Sequence, residues 1–69
     1  MMKEQHSRAK ILEVLNEAYP RDLSIGEVAK RAKVSRSTAS MWLRVLVAER
    51  RIEVSRKVGN AIFYRLRKS

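Results

Sequence analysis

Apolar residues recur every three to four positions through most of the chain and every second position near its end. The first pattern predicts a helix from about Ser7, a suitable N-cap, to Ala18. Pro20 ends this helix, because the residue before a proline avoids the α region. Its buried stripe is predicted to consist of Ile11, Val14, Leu15 and Ala18, with Leu12 at the edge. Residues 1–6 are mostly polar, and we expect them to be disordered.

A second helix begins with a capping signal. Ser24 and Glu27 have the spacing at which each side chain accepts the other's backbone N–H, which predicts a helix from Ile25 to about Ala32. Leu23, just before the cap, can pack on Val28, and a short extra strand near Leu23 is an option. The buried face of this helix is predicted to be Ile25, Val28, Ala29 and Ala32.

A third helix follows a turn at Lys33-Val34, with Ser35 as its N-cap and an end near Arg50. Its core stripe is predicted to be Ala39, Leu43, Leu46 and Val47, flanked by Trp42, which we assign to packing. The opposite face begins with several hydroxyl side chains, which are only moderate helix formers. That outer face consists of Ser37, Thr38, Ser40, Met41, Arg44, Val45 and Ala48.

The last stretch, residues 52–67, alternates with period two and predicts two strands joined at Gly59-Asn60. A two-residue loop would place the apolar residues of the two strands on opposite faces, since a shift of one residue reverses every side chain. Burial of both sets therefore requires an odd loop around 59–61 or a bulge nearby. Three helices followed by a two-stranded hairpin form an α+β fold.

The 69 residues predict one domain, 1–69, near the lower size limit for independent folding. Without cysteine there is no disulfide, and the single His6 lies in the polar start. We find no candidate catalytic residues, no metal ligands and no cofactor motif, and we expect a non-enzymatic, cytoplasmic and nucleoid-associated protein.

Charge is distributed unevenly along the chain. The sequence contains 16 Lys and Arg against 7 Asp and Glu, for a net charge of +9. Residues 1–29 hold four bases and five acids, whereas residues 30–69 hold 12 bases and two acids. This asymmetry favours a polyanionic partner on one side of the domain.

The stretch from Glu27 to Val54 resembles the winged helix-turn-helix of small bacterial and archaeal transcription regulators of the MarR and ArsR groups. The resemblance is carried by Ala29, Val34, Ser35, Arg36, Ser37, Thr38, Ala39, Ser40 and Leu46. Two turn positions that often hold glycine hold Lys33 and Arg50 here. A left-handed backbone at a residue with a Cβ costs about 1 kcal/mol, so we expect both turns to be less tight. The printed sequence ends just past the predicted wing, so the resemblance does not imply ligand control.

The resemblance implies a double-stranded DNA-binding protein, with the helix at 35–50 in the major groove and the hairpin wing at 52–67 on the minor groove or backbone. The predicted base contacts are Arg36, Ser37, Thr38, Ser40, Met41 and Arg44. The predicted backbone contacts are Ser35, which can also act only as a cap, and Lys30, Arg31 and Lys33. The wing contacts are Arg56, Lys57, Gly59, Asn60 and Arg65, whereas Arg67 and Lys68 are read as tail charges.

Other functions stay open at this point. A winged helix can also serve as a protein-interaction module of a replication or transcription assembly, and RNA or general chromatin binding is a further alternative. A homodimer is a separate hypothesis. Apolar residues outside the main stripe, namely Val45, Ala48 and Phe63, or the first helix, would provide the contact.

Overall fold

The computed structural model describes residues 3–67, with side chains from His6 onward. Three helices pack on one three-stranded antiparallel sheet, whose strand order is β1-β3-β2. In chain order the elements are α1 (Lys3–Ala18), β1 (Leu23–Ser24), α2 (Ile25–Ala32), α3 (Arg36–Ala48), β2 (Ile52–Val58) and β3 (Ala61–Leu66). The predicted winged helix-turn-helix is confirmed, and the optional strand at Leu23 is present, paired with Tyr64.

α1 begins earlier than predicted. The helix includes residues 3–6, and Ser7 lies inside it instead of capping it, whereas the expected disorder of residues 1–6 stays a prediction. Met1 and Met2 lie outside the described residues. The apolar stripe shows only where a helix is buried, and the polar turn before Arg8 extends beyond that stripe. Arg8 forms an ion pair with Glu49 just after α3, which ties this end of α1 to the domain.

The core lies between the helices and one face of the sheet. Ile11 and Leu15 of α1 and Leu43 and Leu46 of α3 are fully buried at its centre. The other buried apolar residues are Leu23, Val28, Ala29, Ala32, Ala39, Ile52 and Tyr64. Most residues of the predicted helical stripes therefore form this core, whereas some are only partly buried at its margin together with Trp42, namely Val14, Ala18, Ile25 and Val47.

The capping box of α2 is formed as predicted. The Ser24 backbone N–H donates to Glu27 Oε1 over 3.0 Å, and the Glu27 N–H donates to Ser24 Oγ over 3.3 Å. This reciprocal pair satisfies two N–H groups that the helix itself leaves free. It fixes the start of α2 directly after β1.

The two turns predicted to be less tight are tight, and both use a left-handed residue. Lys33 has φ 60° and Arg50 has φ 63°. After α2, the Val34 N–H donates to the Ala29 carbonyl over 3.0 Å, and after α3 the Arg51 N–H donates to the Leu46 carbonyl over 2.9 Å. These bonds are those of a Schellman motif, which favours glycine at the left-handed position. The turn geometry is therefore kept at a conformational cost of about 1–2 kcal/mol per residue.

The hairpin uses the bulge alternative. Val58 pairs with Ala61 across the two-residue loop Gly59-Asn60, and the pairing register shifts between Val54 and Arg56, so that Ser55 has no partner across the ladder. Val54 consequently lies opposite Tyr64, and all the apolar residues near the base of the hairpin face the helices. Val54 itself remains 51% exposed on the edge strand β2.

Candidate nucleic-acid interface

The start of α3 is fixed by the hydroxyl of Ser35. Ser35 Oγ accepts the Thr38 backbone N–H over 3.0 Å and donates to Thr38 Oγ1 over 2.9 Å. Ser35 is thus the N-cap, and Thr38, which is half-buried, turns its hydroxyl toward the cap. Of the two roles considered for Ser35, the structure shows capping.

A shallow depression follows the outer face of α3. It is lined by Ser37, Ser40, Met41, Arg44 and Val45. Four of the six predicted base-contacting residues therefore share one surface, and Val45 joins them there. Between the ends of this surface, Ser40 and Met41 are short or unbranched, which allows a flat or grooved partner to approach closely.

Arg36 points away from this depression. Its Nη1 atom lies 3.9 Å from the position that a Cβ would occupy on Gly26, at the start of α2. Arg36 therefore belongs to the surface formed by the starts of α2 and α3, where free backbone N–H groups and a basic side chain favour an anion. The structure separates this residue, and the cap-directed Thr38, from the other predicted base contacts.

Arg44 lies where α3 meets the sheet. It is exposed, and its charge acts on the buried Tyr64 of β3. Burial raises the pKa of the Tyr64 phenol above its ordinary value, and the positive charge of Arg44 opposes this rise. Because Arg44 has no acidic partner within residues 6–67, its guanidinium donors are available to a ligand.

The turn between α2 and α3 adds positive charge beside α3. The predicted backbone-contacting residues Lys30, Arg31 and Lys33 are all exposed. In the part of the chain that the structure describes, none of them forms an ion pair. The left-handed Lys33 begins the loop that leads to the α3 cap.

The wing differs, because its arginines already have partners. Arg56 Nε donates to Asp22 Oδ2 over 2.9 Å, and its guanidinium lies 4.4 Å from the centroid of the Phe63 ring. Asp22 also interacts with the Ser55 hydroxyl, and this hydrogen bond, followed by Arg56, lowers the pKa of the Asp22 carboxyl. The bulge therefore directs the side chains of Ser55 and Arg56 toward Asp22, the residue before β1.

Arg65 is engaged as well. Its Nε and Nη2 donate to Glu53 Oε2 over 3.1 Å and 2.6 Å, between directly opposed residues of β2 and β3. The hydrogen bonds and charge of Glu53 raise the pKa of the Arg65 guanidinium above its ordinary value. Of the predicted wing contacts, Lys57, Gly59 and Asn60 are exposed at the tip and have no such partner among the described residues.

The distribution of acids explains the electrostatics of this surface. From residue 30 onward the chain has only two acids, Glu49 and Glu53, and both are held in ion pairs. On the outer face of α3, positive charge is therefore unopposed, whereas Arg31 lines a depression together with Glu13 and Glu17 of α1. A surface of this kind attracts a phosphate backbone.

Three further arginines were not predicted as contacts. Arg50, Arg51 and Arg67 are exposed at the base of the wing, where the Arg67 N–H donates to the Arg51 carbonyl over 3.1 Å. The sequence could have indicated this, because pairing the start of the first predicted strand with the end of the second brings these residues together. Lys68 lies outside the described residues.

The residues proposed for a dimer contact do not form one patch. Val45 lines the depression on α3, whereas the half-buried Phe63 lies under Arg56 on the outer face of the sheet.

Among residues 3–67 there is no helix long and apolar enough to cross a membrane. Within the same residues, no group of three His, Cys, Asp or Glu could hold a metal ion.

A basic turn, an exposed recognition helix and an adjacent hairpin define a winged helix-turn-helix DNA-binding protein. The IclR helix-turn-helix domain family matches residues 9–56, which is more than half of the chain. The chain therefore belongs to that family, and this membership supports a role as a DNA-binding transcription regulator. The match does not support the narrower MarR or ArsR assignment, and it does not favour a protein-interaction module.

A solved structure shows the same fold within a longer protein. Human N-acetylserotonin methyltransferase in complex with SAM superposes with a TM-score of 0.76 at 25% sequence identity. The superposition covers 97% of this chain and 20% of the methyltransferase chain, so the likeness concerns one segment of that enzyme. No curated protein matches the sequence.

Proposed function

We propose that the protein regulates transcription by placing the outer face of α3 in the major groove of double-stranded DNA. The observation that carries this proposal is the depression formed by Ser37, Ser40, Met41 and Arg44 on a helix face without acids. Its residues combine hydrogen-bonding groups with apolar contacts, as base edges require.

Arg44 is the residue best suited to read a base within this depression. A guanidinium can donate two hydrogen bonds to the O6 and N7 atoms of guanine, which gives about 1–3 kcal/mol of discrimination. Ser37 and Ser40 are short enough to allow close approach, and Met41 can contact a thymine methyl group. Since one arginine dominates, we expect a short preferred sequence.

Backbone contacts would position the protein on the duplex. Lys30 and Lys33 lie near the start of α3, where Arg36 and the free N–H groups of the first turn favour an anion, and Arg31 lies on the side toward α1. Lys57 and the Gly59-Asn60 loop would contact the minor groove or the adjacent phosphates. Each neutralised phosphate contributes a slope of about −0.9 to the dependence of log affinity on log salt.

The experiment is selection of bound sequences from a randomised duplex pool, followed by affinity measurements at two salt concentrations. Arg44→Ala should relax the preference at one base pair, whereas Lys33→Ala should weaken all duplexes alike and reduce the salt slope by about 1. Lys10→Ala, which removes the same charge from α1, is the control and should change neither property.

Failure to bind any duplex at low salt would overturn the proposal. The selected sequences also report on the homodimer, which stays a prediction. Two bound copies would select inverted half-sites about one helical turn apart, and a single copy would select one half-site. Sedimentation at high protein concentration checks the same point without DNA.

A further inference from the structure

The three arginines at the base of the wing form a surface that the recognition helix does not include. Arg50 and Arg51 directly follow α3, and Arg67 directly follows β3. The hydrogen bond from the Arg67 N–H to the Arg51 carbonyl, 3.1 Å long, places the two strands' ends side by side. We refer to Arg50, Arg51 and Arg67 as the basal cluster.

No acid of the described chain neutralises the basal cluster. The adjacent acid in the sequence, Glu49, is bound by Arg8 of α1, and Glu53 is bound by Arg65. All three basal side chains are exposed. Three like charges without a counter-charge repel one another, so they do not stabilise the fold.

Arg50 is the left-handed residue of the Schellman turn after α3, with φ 63°. Glycine adopts this conformation without strain, so Arg50→Gly removes the charge while keeping the turn. The exposed Arg50 side chain makes no hydrogen bond or ion pair within residues 6–67.

The basal cluster lies beyond the C-terminal end of α3 and at the other end of β2 from the wing tip. Along α3, at 1.5 Å per residue, it is about 20 Å from Ser37 and about 9 Å from Arg44. From Arg51 to Gly59 the chain advances about 25 Å along β2, at roughly 3.3 Å per residue. The longest extent of the domain is 34 Å, so the cluster lies at the opposite end from the wing tip.

We propose that the basal cluster binds the phosphate backbone of a second DNA duplex, so that one chain bridges two DNA segments. This proposal rests on the function proposed above, in which the first duplex lies on α3. Arginine is well suited to the second contact, because its planar donors match phosphate oxygens. Such a contact is independent of sequence and depends on salt.

The test compares bridging with simple binding. Beads carrying one short duplex are incubated with the protein and then with a second, fluorescent duplex, and its capture is measured. In parallel, anisotropy gives the affinity for a single duplex. Arg50→Gly with Arg67→Gln removes two charges from the cluster and relieves the strained turn, so the variant should fold. Lys10→Gln with Arg21→Gln removes two charges elsewhere and is the matched control.

We expect the unmodified protein and the control to capture the second duplex. The cluster variant should lose most of this capture, about fivefold or more, while its single-duplex affinity changes less than about twofold. Binding of single duplexes without capture by the unmodified protein would overturn bridging but leave the proposed function intact. Absence of any duplex binding would overturn the proposed function itself.

Three other results would also overturn bridging by the basal cluster. Undiminished capture by the cluster variant would mean that two associated copies hold the two duplexes. An equal loss of single-duplex affinity and capture would mean that the cluster contacts the same duplex as α3. Competition by single-stranded RNA, but not by duplex DNA, would identify RNA as the ligand of the cluster.

Discussion

The outer face of α3 and the outer face of the wing both carry arginine, but only on α3 is the charge available. Arg44 has no acidic partner in the described chain, whereas Arg56 and Arg65 are paired with Asp22 and Glu53. The same residue type therefore serves different purposes in two neighbouring regions. Whether an arginine can bind a ligand depends on the acids that the fold brings beside it.

The paired arginines brace the wing. Arg56 extends from β2 across Phe63 on β3 to Asp22 before β1, and so links all three strands. Exposed ion pairs contribute little stability individually, but this one also covers an aromatic ring. The wing is thus held in one orientation beside α3, and among the described residues its free basic groups lie at its tip and at its base.

The largest expected effect distinguishes the base of the wing from its distal part. Ile52 is 1% exposed and Val54 is 51% exposed, although they are two residues apart on the same strand. Ile52→Ala should cost about 2–5 kcal/mol of unfolding free energy because it leaves a cavity in the core, and Val54→Ala should cost less than about 1 kcal/mol. Urea unfolding measures both. Similar losses would mean that the core extends further along the wing.

The next effect compares the two classes of arginine directly. Arg44→Ala should weaken binding to the preferred duplex by about 5- to 150-fold, as expected for loss of a bidentate base contact. Arg65→Ala should have a much smaller effect, because Glu53 already occupies its guanidinium donors. Fluorescence anisotropy gives both affinities. A larger loss for Arg65→Ala than for Arg44→Ala would reverse the assignment of the two regions.

A third substitution separates stability from binding. Lys33→Gly should raise the unfolding free energy by about 0.5–1 kcal/mol, because glycine relieves the left-handed strain but gains entropy when unfolded. The same change should reduce DNA affinity, since a backbone-contacting charge is lost. Thermal unfolding and duplex titration measure the two effects. A destabilised variant would show that the Lys33 side chain supports the turn.

A smaller effect is expected when a wing arginine is released. Glu53→Gln removes the acid that binds Arg65, so the salt slope of DNA binding should become steeper by about 0.9 if Arg65 then contacts one phosphate. Affinity at low salt should rise modestly. An unchanged slope would indicate that Arg65 cannot reach the DNA even when free.

The smallest expected effect concerns the brace at Asp22. Its pKa is lowered in the folded protein, mainly by the Ser55 hydroxyl, so the carboxylate stabilises the fold above the ordinary aspartate pKa of about 3.9. This contribution is lost as the pH falls through the lowered pKa. The stability difference between the unmodified protein and Asp22→Asn should therefore be present at neutral pH and vanish in acid. A difference that persists unchanged at pH 2 would contradict this cause.

The helices could be predicted well, because their apolar stripes and caps are local features. Ser24 with Glu27, and Ser35, predict two helix starts, each from a signal that spans only four residues. The structure confirms both starts. The start of α1 was predicted too late, because its first turn is polar in sequence and leaves no apolar pattern. The prediction that the turns at Lys33 and Arg50 would be less tight was also wrong, because hydrogen bonds from the following residues maintain their left-handed geometry.

The site could be predicted only in part. Helical spacing was enough to place Ser37, Ser40, Met41 and Arg44 on one surface, as the structure has them. The neutralisation of Arg56 by Asp22 was not predictable from local sequence, because 34 positions separate the two residues. Their contact depends on β1 joining the sheet beside β3 and on the bulge that redirects Arg56.

The bulge at Ser55 also makes the wing tip modular. The change of face between core-facing and solvent-facing positions occurs at the bulge, several residues before the loop at Gly59-Asn60. Residue pairs could thus be inserted or deleted beyond Ser55 without altering the register of Ile52 and Leu66 at the core. Tips of different length or chemistry could be grafted at this point, and through them the wing could acquire a new target while the domain beneath stays the same.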